Sequence, residues 1–324
     1  MPREPIPGSQ PAPGNGPGQP SVSVSMIFHD PGAFFDEAIR SVLDQTHAAW
    51  ELLLVDDGCT DGSDAVARRY AEAHPDRIRY LHHPGRANRG TGPTRNLGIT
   101  EASGRYFTEL DADDVWLPGF LEKHVGMLEA DPSLDMAFSP VQRWYSWSGD
   151  PEDEARDWVA RPWPLGHDII EPPGLLPVML ESSPQGGVPK GLVMRREAVA
   201  AVGGYPSEFR DMYEDQALLA KLALSSRTRI GDTWLYRYRR HPQSMVTIMN
   251  TTRDRRLMRL FFLEWLHAYL QREGIDDPVV TGSVERELWK VHHPRLHRAR
   301  SALQYWGGRI RRKAEKTFSG SVEE

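Results

Sequence analysis

Cysteine is nearly absent from this sequence: Cys59 stands alone among 324 residues. One thiol excludes an intrachain disulfide and a cysteine-rich zinc site, and the shortage fits a reducing compartment. No uninterrupted apolar stretch reaches the roughly 18 residues of a membrane span. The start also lacks the charged segment followed by an apolar run that a secretory signal needs. We therefore expect a soluble, cytoplasmic protein. An excess of positive charge is missing too. A net charge of −6 argues against a nucleic-acid partner held by bulk charge. Apolar side chains are scarce over residues 1–20, which are rich in proline and glycine. Such a segment cannot offset its own ordering entropy, so disorder is expected there.

Beyond it, hydrophobic residues make up 39% of the chain, enough for a substantial core. Strand and helix patterns alternate. Strands are expected over 22–28, 51–55, 78–81 and 106–110, and helices over 33–43, 61–73 and 94–102. That order implies an α/β fold with a mostly parallel central sheet flanked by helices. Ligands bind at the carboxyl ends of the strands in such sheets. His29 and Asp30 follow the first strand, Asp56 and Asp57 the second, and Asp111-Ala112-Asp113-Asp114 the fourth. Carboxylates packed this tightly repel each other. A divalent metal is the natural compensation, because hard cations take oxygen ligands and keep positions open for substrate phosphates. The competing reading is a turn whose aspartates cap the next helix.

Between about Ser148 and Gly187 the chain is rich in proline, tryptophan and charge with weak periodicity, and reads as a long loop or lid. Regular structure is expected to resume at 191–194, followed by 214–224 (helix) and 228–231 and 234–238 (strands). Leu257, Leu260, Phe261, Leu266, Ala268 and Tyr269 fall on one amphipathic helix. After it comes a basic tail with Arg295, Arg298, Arg300, Arg309, Arg311, Arg312 and Lys313. A solvated helix face is the simpler reading of that tail, and contact with an anionic membrane surface or acidic partner the alternative. The expected divisions are a disordered segment at 1–20, a catalytic domain at 21–245 and a helical C-terminal extension at 246–324.

Several motifs, in this order, carry a resemblance. They are Ser21 to Asp30, Ala38 to Thr46, Leu53-Leu54-Val55-Asp56-Asp57-Gly58-Cys59-Thr60-Asp61-Gly62-Ser63, Asn88-Arg89-Gly90, Thr94-Arg95-Asn96-Leu97-Gly98-Ile99 and Leu110 to Asp114. Each is weak alone, but together they resemble the N-terminal half of family 2 glycosyltransferases, over about Val22 to Tyr238. The resemblance implies a GT-A fold, a nucleotide-diphospho-sugar donor, Mn²⁺ or Mg²⁺, and inversion at the anomeric carbon. It implies that Asp56 and Asp57 read the nucleobase, that Arg95 holds the nucleotide, and that His29 and Asp30 lie on the donor side. Asp111 and Asp113 form the D-x-D pattern, and residues two apart on an extended segment point the same way. By resemblance Asp111 meets the ribose or serves as a secondary metal contact, while Asp113 is the main metal ligand. Asp114 is expected to cap the helix starting near Pro118.

An inverting transfer needs a base to take the acceptor proton. Glu214-Asp215, after Gly203-Gly204-Tyr205, resembles the family's E-D motif. Asp215 is expected as the base, with Glu214 as its neighbour or an acceptor contact. His241 resembles the late histidine that some GT-A enzymes use as a third metal ligand or a diphosphate contact, and Arg239 or Arg240 could bind phosphate; a plain surface loop is the competing reading. No Q-x-x-R-W motif follows the E-D pair, so one sugar per encounter is expected rather than processive synthesis. The acceptor, whether glycan, lipid carrier, peptide or small metabolite, should meet residues between about Ser148 and Lys190, where Trp158 and Trp163 can stack on a sugar. Two other readings are a sugar nucleotidyltransferase and a non-catalytic nucleotide-sugar-binding protein. The first wants a basic Gly-rich loop after the first strand, where this chain has His29-Asp30-Pro31-Gly32. The second would tolerate loss of Asp111, Asp113 and Asp215, all of which are present.

Overall fold

The computed structural model describes residues 20–160, 169–182, 189–210, 212–244 and 255–297. The chain divides into two compact units, residues 1–252 and 253–324.

In the first unit, strands β1 (Val22–Phe28), β2 (Trp50–Asp56), β3 (Ile78–His82) and β4 (Tyr106–Glu109) alternate with helices α1 (Phe35–Leu43), α2 (Ser63–Ala73) and α3 (Thr91–Glu101). All seven residues of β2 are buried, as expected of a central parallel strand covered on both faces. In α1 the spacing of Phe35, Ala38, Ile39 and Val42 places one apolar stripe in the core.

Four short strands follow: β5 (Val115–Trp116), β6 (Met136–Phe138), β7 (Val141–Trp144) and β8 (Trp158–Ala160). Helix α4 (Phe120–Ala130) lies between β5 and β6, and the single turn α5 (Pro151–Glu154) precedes β8. Then come β9 (Ile169–Ile170), α6 (Leu175–Ser182), β10 (Val193–Arg195), α7 (Arg196–Ala201), α8 (Glu214–Ala223), β11 (Thr228–Ile230) and β12 (Tyr236–Arg239). The main sheet has the order β3-β2-β1-β4-β10-β6-β11-β9, and a second sheet the order β5-β12-β7-β8. Strands β1 to β4 are mutually parallel, whereas β10 runs antiparallel to both β4 and β6. Strand order reverses at β1, which has β2 on one side and β4 on the other. That is the switch point at which such sheets open a crevice beyond their strand ends.

Two expectations are corrected. The stretch over 148–187 is not all loop, for it contains β8, β9 and α6, with Leu175, Leu176, Met179 and Leu180 buried. Pro177 hides α6 from sequence reading, yet it lies in the first turn, where a missing N–H costs nothing. Asp114 does not cap α4, whose N-cap is Gly119 in the left-handed region. In the second unit the expected amphipathic helix is α9 (Arg255–Arg272), which packs with α10 (Pro278–His292). Phe262, Leu263, Leu266, Tyr269 and Leu270 are buried, whereas Leu257 and Phe261 are exposed. Among the described residues no helix is long and apolar enough to cross a membrane. The basic tail from Arg298 onward and Trp163 lie outside the described residues.

Candidate active site

The site gathers at the carboxyl ends of β1, β2 and β4. At the end of β1, Asp30 accepts hydrogen bonds from Thr60 N (2.6 Å), Asp61 N (3.1 Å) and Thr60 Oγ1 (2.9 Å). It thereby ties the β1 loop to the β2 loop. His29 is exposed and close to Asp30 and Cys59. Burial pushes the Cys59 thiol well up, so that cluster offers a protonated thiol and a carboxylate already engaged.

The two aspartates after β2 also hold the protein together. Asp56, fully buried, accepts from Cys59 N (2.7 Å), Tyr80 Oη (2.6 Å) and the Arg86 guanidinium (3.0 Å). Burial opposes its charge, and these donors outweigh that and lower its pKa. Asp57 accepts from Arg89 N (2.7 Å), Gly90 N (3.0 Å) and Thr94 Oγ1 (2.9 Å), closing the N-terminus of α3 from outside the helix.

Helix α3 is stitched in turn to the segment before α8. Gly92 N and Thr91 Oγ1 both donate to Arg210 O. Asn96 brackets Tyr205, donating to its carbonyl and accepting from its N–H, both at 2.8 Å. A Cβ on Gly92 would collide with the Phe209 carbonyl, so only glycine permits this approach. These bonds place Glu214 and Asp215, the first residues of α8, beside Arg95. Tyr213 just before them has φ +63°, a left-handed conformation that a bulky side chain rarely adopts.

Arg95 is the hub. Its guanidinium lies 3.2 Å from Glu109, 2.9 Å from Asp111 and 3.7 Å from Glu214. Asp111 is clamped on its other oxygen by Lys190, and Tyr205 donates to Glu109. Burial disfavours the charge on Asp111, but Lys190 and Arg95 hold its pKa well below the usual carboxylate range. Burial, then repulsion from Asp215, pushes Glu214 up to about 7. Arg95 Nε and Glu109 Oε1 are buried and have no hydrogen-bond partner among the described residues. Arg95, Asp111, Lys190, Tyr205 and Asp215 line one cavity.

A second cluster faces this one. His241 Nε2 lies 2.9 Å from Asp113 Oδ2, and its ring packs against Phe34 and Trp147. Arg239 braces the same wall. It donates to Asp113 O (2.7 Å) and is sandwiched between Phe34 (4.4 Å) and Trp144 (4.5 Å). Asp114 accepts from Tyr236 Oη (2.7 Å) and Arg239 N (2.8 Å), joining the D-x-D turn to β12. Burial, then Asp113 and Asp111, raises its pKa well above the ordinary range. Asp113 has a side chain 31% exposed and an Oδ1 without a partner among the described residues. Its carboxylate and the His241 imidazole are a donor set that suits a divalent ion, and Asp111 and Asp114 offer oxygens within 4.8 Å.

Lys190, Tyr205 and Glu109 are functional candidates that the motifs did not single out. Glu109 adjoins the D-x-D turn and Tyr205 follows the Gly203-Gly204 pair, so both carried a faint signal. Lys190 is brought in only by folding.

A part-parallel sheet with an acidic, cation-stitched cluster at its switch point defines a GT-A-type α/β domain. Residues 23–184, half of the chain, match glycosyl transferase family 2, and the chain belongs to that family. It is 38% identical over 108 residues to the uncharacterized glycosyltransferase alr2836 of Nostoc sp., a match covering 33% of each protein. The chain spans about a third of the length of the curated relatives it matches. Two solved structures share the fold at low identity. S. aureus TarS 1–349 in complex with UDP-GlcNAc superposes with a TM-score of 0.62 at 14% identity, covering 85% of this chain and 73% of that one. The mannosyltransferase PcManGT from Pyrobaculum calidifontis, in complex with GDP-Man and Mn²⁺, gives 0.57 at 20% identity, covering 85% and 70%.

Proposed function

We propose that this protein is a non-processive, inverting glycosyltransferase that moves a sugar from a nucleotide-diphospho-sugar to an acceptor hydroxyl. The reading is carried by the 2.9 Å contact between Asp113 and His241, two residues along the chain from Asp111, which lines a cavity together with Arg95 and Asp215. Residues 21–245 form its catalytic domain and 246–324 its C-terminal extension.

Asp113 and His241 would hold Mn²⁺ or Mg²⁺, with Asp111 as a secondary contact. The chemistry such an ion supplies is neutralisation of the charge that develops on the departing nucleoside diphosphate. Arg95 and Lys190 keep Asp111 ionised and in place, so a ribose hydroxyl finds an acceptor oxygen there. The turn built by Asp56 and Asp57 shapes the edge against which the base rests, and His29 and Asp30 border the donor side.

Asp215 is the general base. It is partly exposed, lines the cavity and leads helix α8. Its carboxylate takes the proton of the acceptor hydroxyl as that oxygen attacks the anomeric carbon. The bond to the diphosphate oxygen breaks on the opposite face, and configuration inverts. Glu214, buried against Arg95, fixes the arginine rather than reaching the acceptor.

Thermal-shift screening against UDP- and GDP-sugars with Mn²⁺, followed by hydrolysis of any hit, tests this function. A ligand of the native state raises apparent stability by mass action. Stabilisation and turnover that are lost in Asp113→Asn are expected. No shift and no turnover with any nucleotide sugar overturns the reading.

A further inference from the structure

The second sheet carries a row of side chains that the donor chemistry does not use. Strands β7 and β12 place Arg143 beside Tyr238, and β7 and β8 place Arg143 opposite Trp158. Cross-strand partners share a face, so Tyr238, Arg143 and Trp158 form a line across the sheet. Its inner end meets the site, where Lys190 Nζ lies 5.3 Å from the Tyr238 ring centroid. Its outer end is open, with Trp158 50% exposed. Consecutive residues of a strand project to opposite faces. Arg239 and Trp144 therefore lie on the other face, with Phe34 and Trp147 against His241.

The row is cationic, and no ion pair meets it among the described residues. Arg143 Cζ sits 4.6 Å over the Tyr238 ring and Arg240 Cζ 5.3 Å from it. Arg240 donates to Tyr238 Oη at 3.4 Å. Neither arginine pairs with a carboxylate among the described residues, and the Arg143 guanidinium has no hydrogen bond among them. Burial lowers the Arg143 pKa and Arg240 adds to that. The nearby carboxylate Asp114 is engaged by Tyr236 and Arg239. A half-buried guanidinium without a partner is costly, and its fork matches carboxylate or phosphate in two-point contact.

We propose that Arg143 and Arg240, with Trp158 beside them, form an acceptor subsite for a sugar unit bearing a carboxylate or phosphate group. The inference rests on the glycosyltransferase reading and names the acceptor class within it, an anionic glycan. The sugar ring lies on the exposed indole of Trp158, and its anionic group meets the two guanidiniums. The donor diphosphate is the other anion that could use these cations. It is disfavoured because the row leads away from Asp113 and His241, on the opposite face of the sheet.

Calorimetry on the full chain tests the subsite with two matched pairs. These are a hyaluronan tetrasaccharide with its carboxyl-reduced form, and a phosphorylated mannotetraose with its phosphatase-treated form. UDP and GDP with Mn²⁺ make a separate donor arm. The charged member of at least one pair should bind roughly tenfold more tightly or better. Arg143→Gln should erase that preference, Arg143→Lys should keep part of it, and Trp158→Ala should weaken both members of the pair. Nucleoside diphosphate affinity in Arg143→Gln should stay within about twofold of wild type, well under the change expected from losing a charged hydrogen bond. No charge preference in the wild type, or a preference that survives Arg143→Gln, overturns the proposal. So does a tenfold loss of UDP or GDP affinity in that variant, which would assign the arginine to the donor. A wild type that shows the preference but binds no nucleotide or nucleotide sugar supports the anion site and overturns the glycosyltransferase reading alone.

Discussion

His241 Nε2 and Asp113 Oδ2 lie 2.9 Å apart although 128 residues separate them in the chain. The first follows the last strand of the small sheet and the second sits in the D-x-D turn. Asp114, bonded to Tyr236 and Arg239, fastens those two segments together. Loss of either partner should therefore loosen a bound divalent ion without unfolding the domain. Asp113→Asn and His241→Ala should each weaken Mn²⁺ binding, measured by calorimetry with UDP or GDP present. The loss should be at least the roughly 10–100-fold seen when an outer-shell partner is removed. Wild-type Mn²⁺ affinity in both variants would leave the pair a structural contact only.

Asp215 lines the cavity and is partly exposed. Asp215→Asn preserves its size and removes its basicity. Transfer should fall by about 10²–10⁴, the usual worth of a general base, while donor affinity holds. Undiminished transfer would move the base elsewhere.

Glu214 titrates near 7 in the folded chain because burial, then Asp215, disfavours its charge. Its ordinary value is 4.5. Between those values the native state keeps a proton that the unfolded chain has lost, so stability falls as pH rises through that window and levels off above it. The full shift amounts to roughly 3 kcal/mol as an upper limit, at about 1.4 kcal/mol per unit. Urea unfolding at about pH 5 and about pH 8 should show wild type losing more stability than Glu214→Gln, by ~1–3 kcal/mol. Parallel behaviour would mean that the Glu214 charge is already matched by Arg95.

Gly98 lies on α3 where the helix crosses β1. A Cβ there would overlap Ser25 Oγ and sit 3.1 Å from Ser25 Cβ. Alanine gains about 1 kcal/mol in helix propensity, but overpacking costs typically 1–3 kcal/mol, so the clash should win. Gly98→Ala should lower Tm, and adding Ser25→Ala should recover part of the loss, since contacting sites couple. A variant as stable as wild type would show that α3 can move off β1.

Much of the parallel half was readable because β1 and β2 are largely apolar runs and α1 carries one apolar stripe. Leu52, Leu53, Leu54 and Val55 announce a central strand in any context. The later strands are two to four residues long, too short for periodicity to separate them from turns. Helix α6 carried a proline that looked like a breaker. The motif residues were all visible, but several have duties that spacing does not show. Asp57 closes a helix from outside it, and Asp114 ties two segments together rather than capping α4.

The sequence by itself determined the α/β order, the family and the acidic turns at the strand ends, because these follow from local periodicity and contiguous motifs. Only the tertiary structure decided which charges meet. Arg95 gathers Glu109, Asp111 and Glu214, Lys190 closes on Asp111, and His241 reaches Asp113. Arg143 is left facing Tyr238 without a carboxylate among the described residues. Those pairings are set by strand order and by loops that cross at the switch point. Coulomb and hydrogen-bond energies depend on distance in space, to which separation along the chain is no guide.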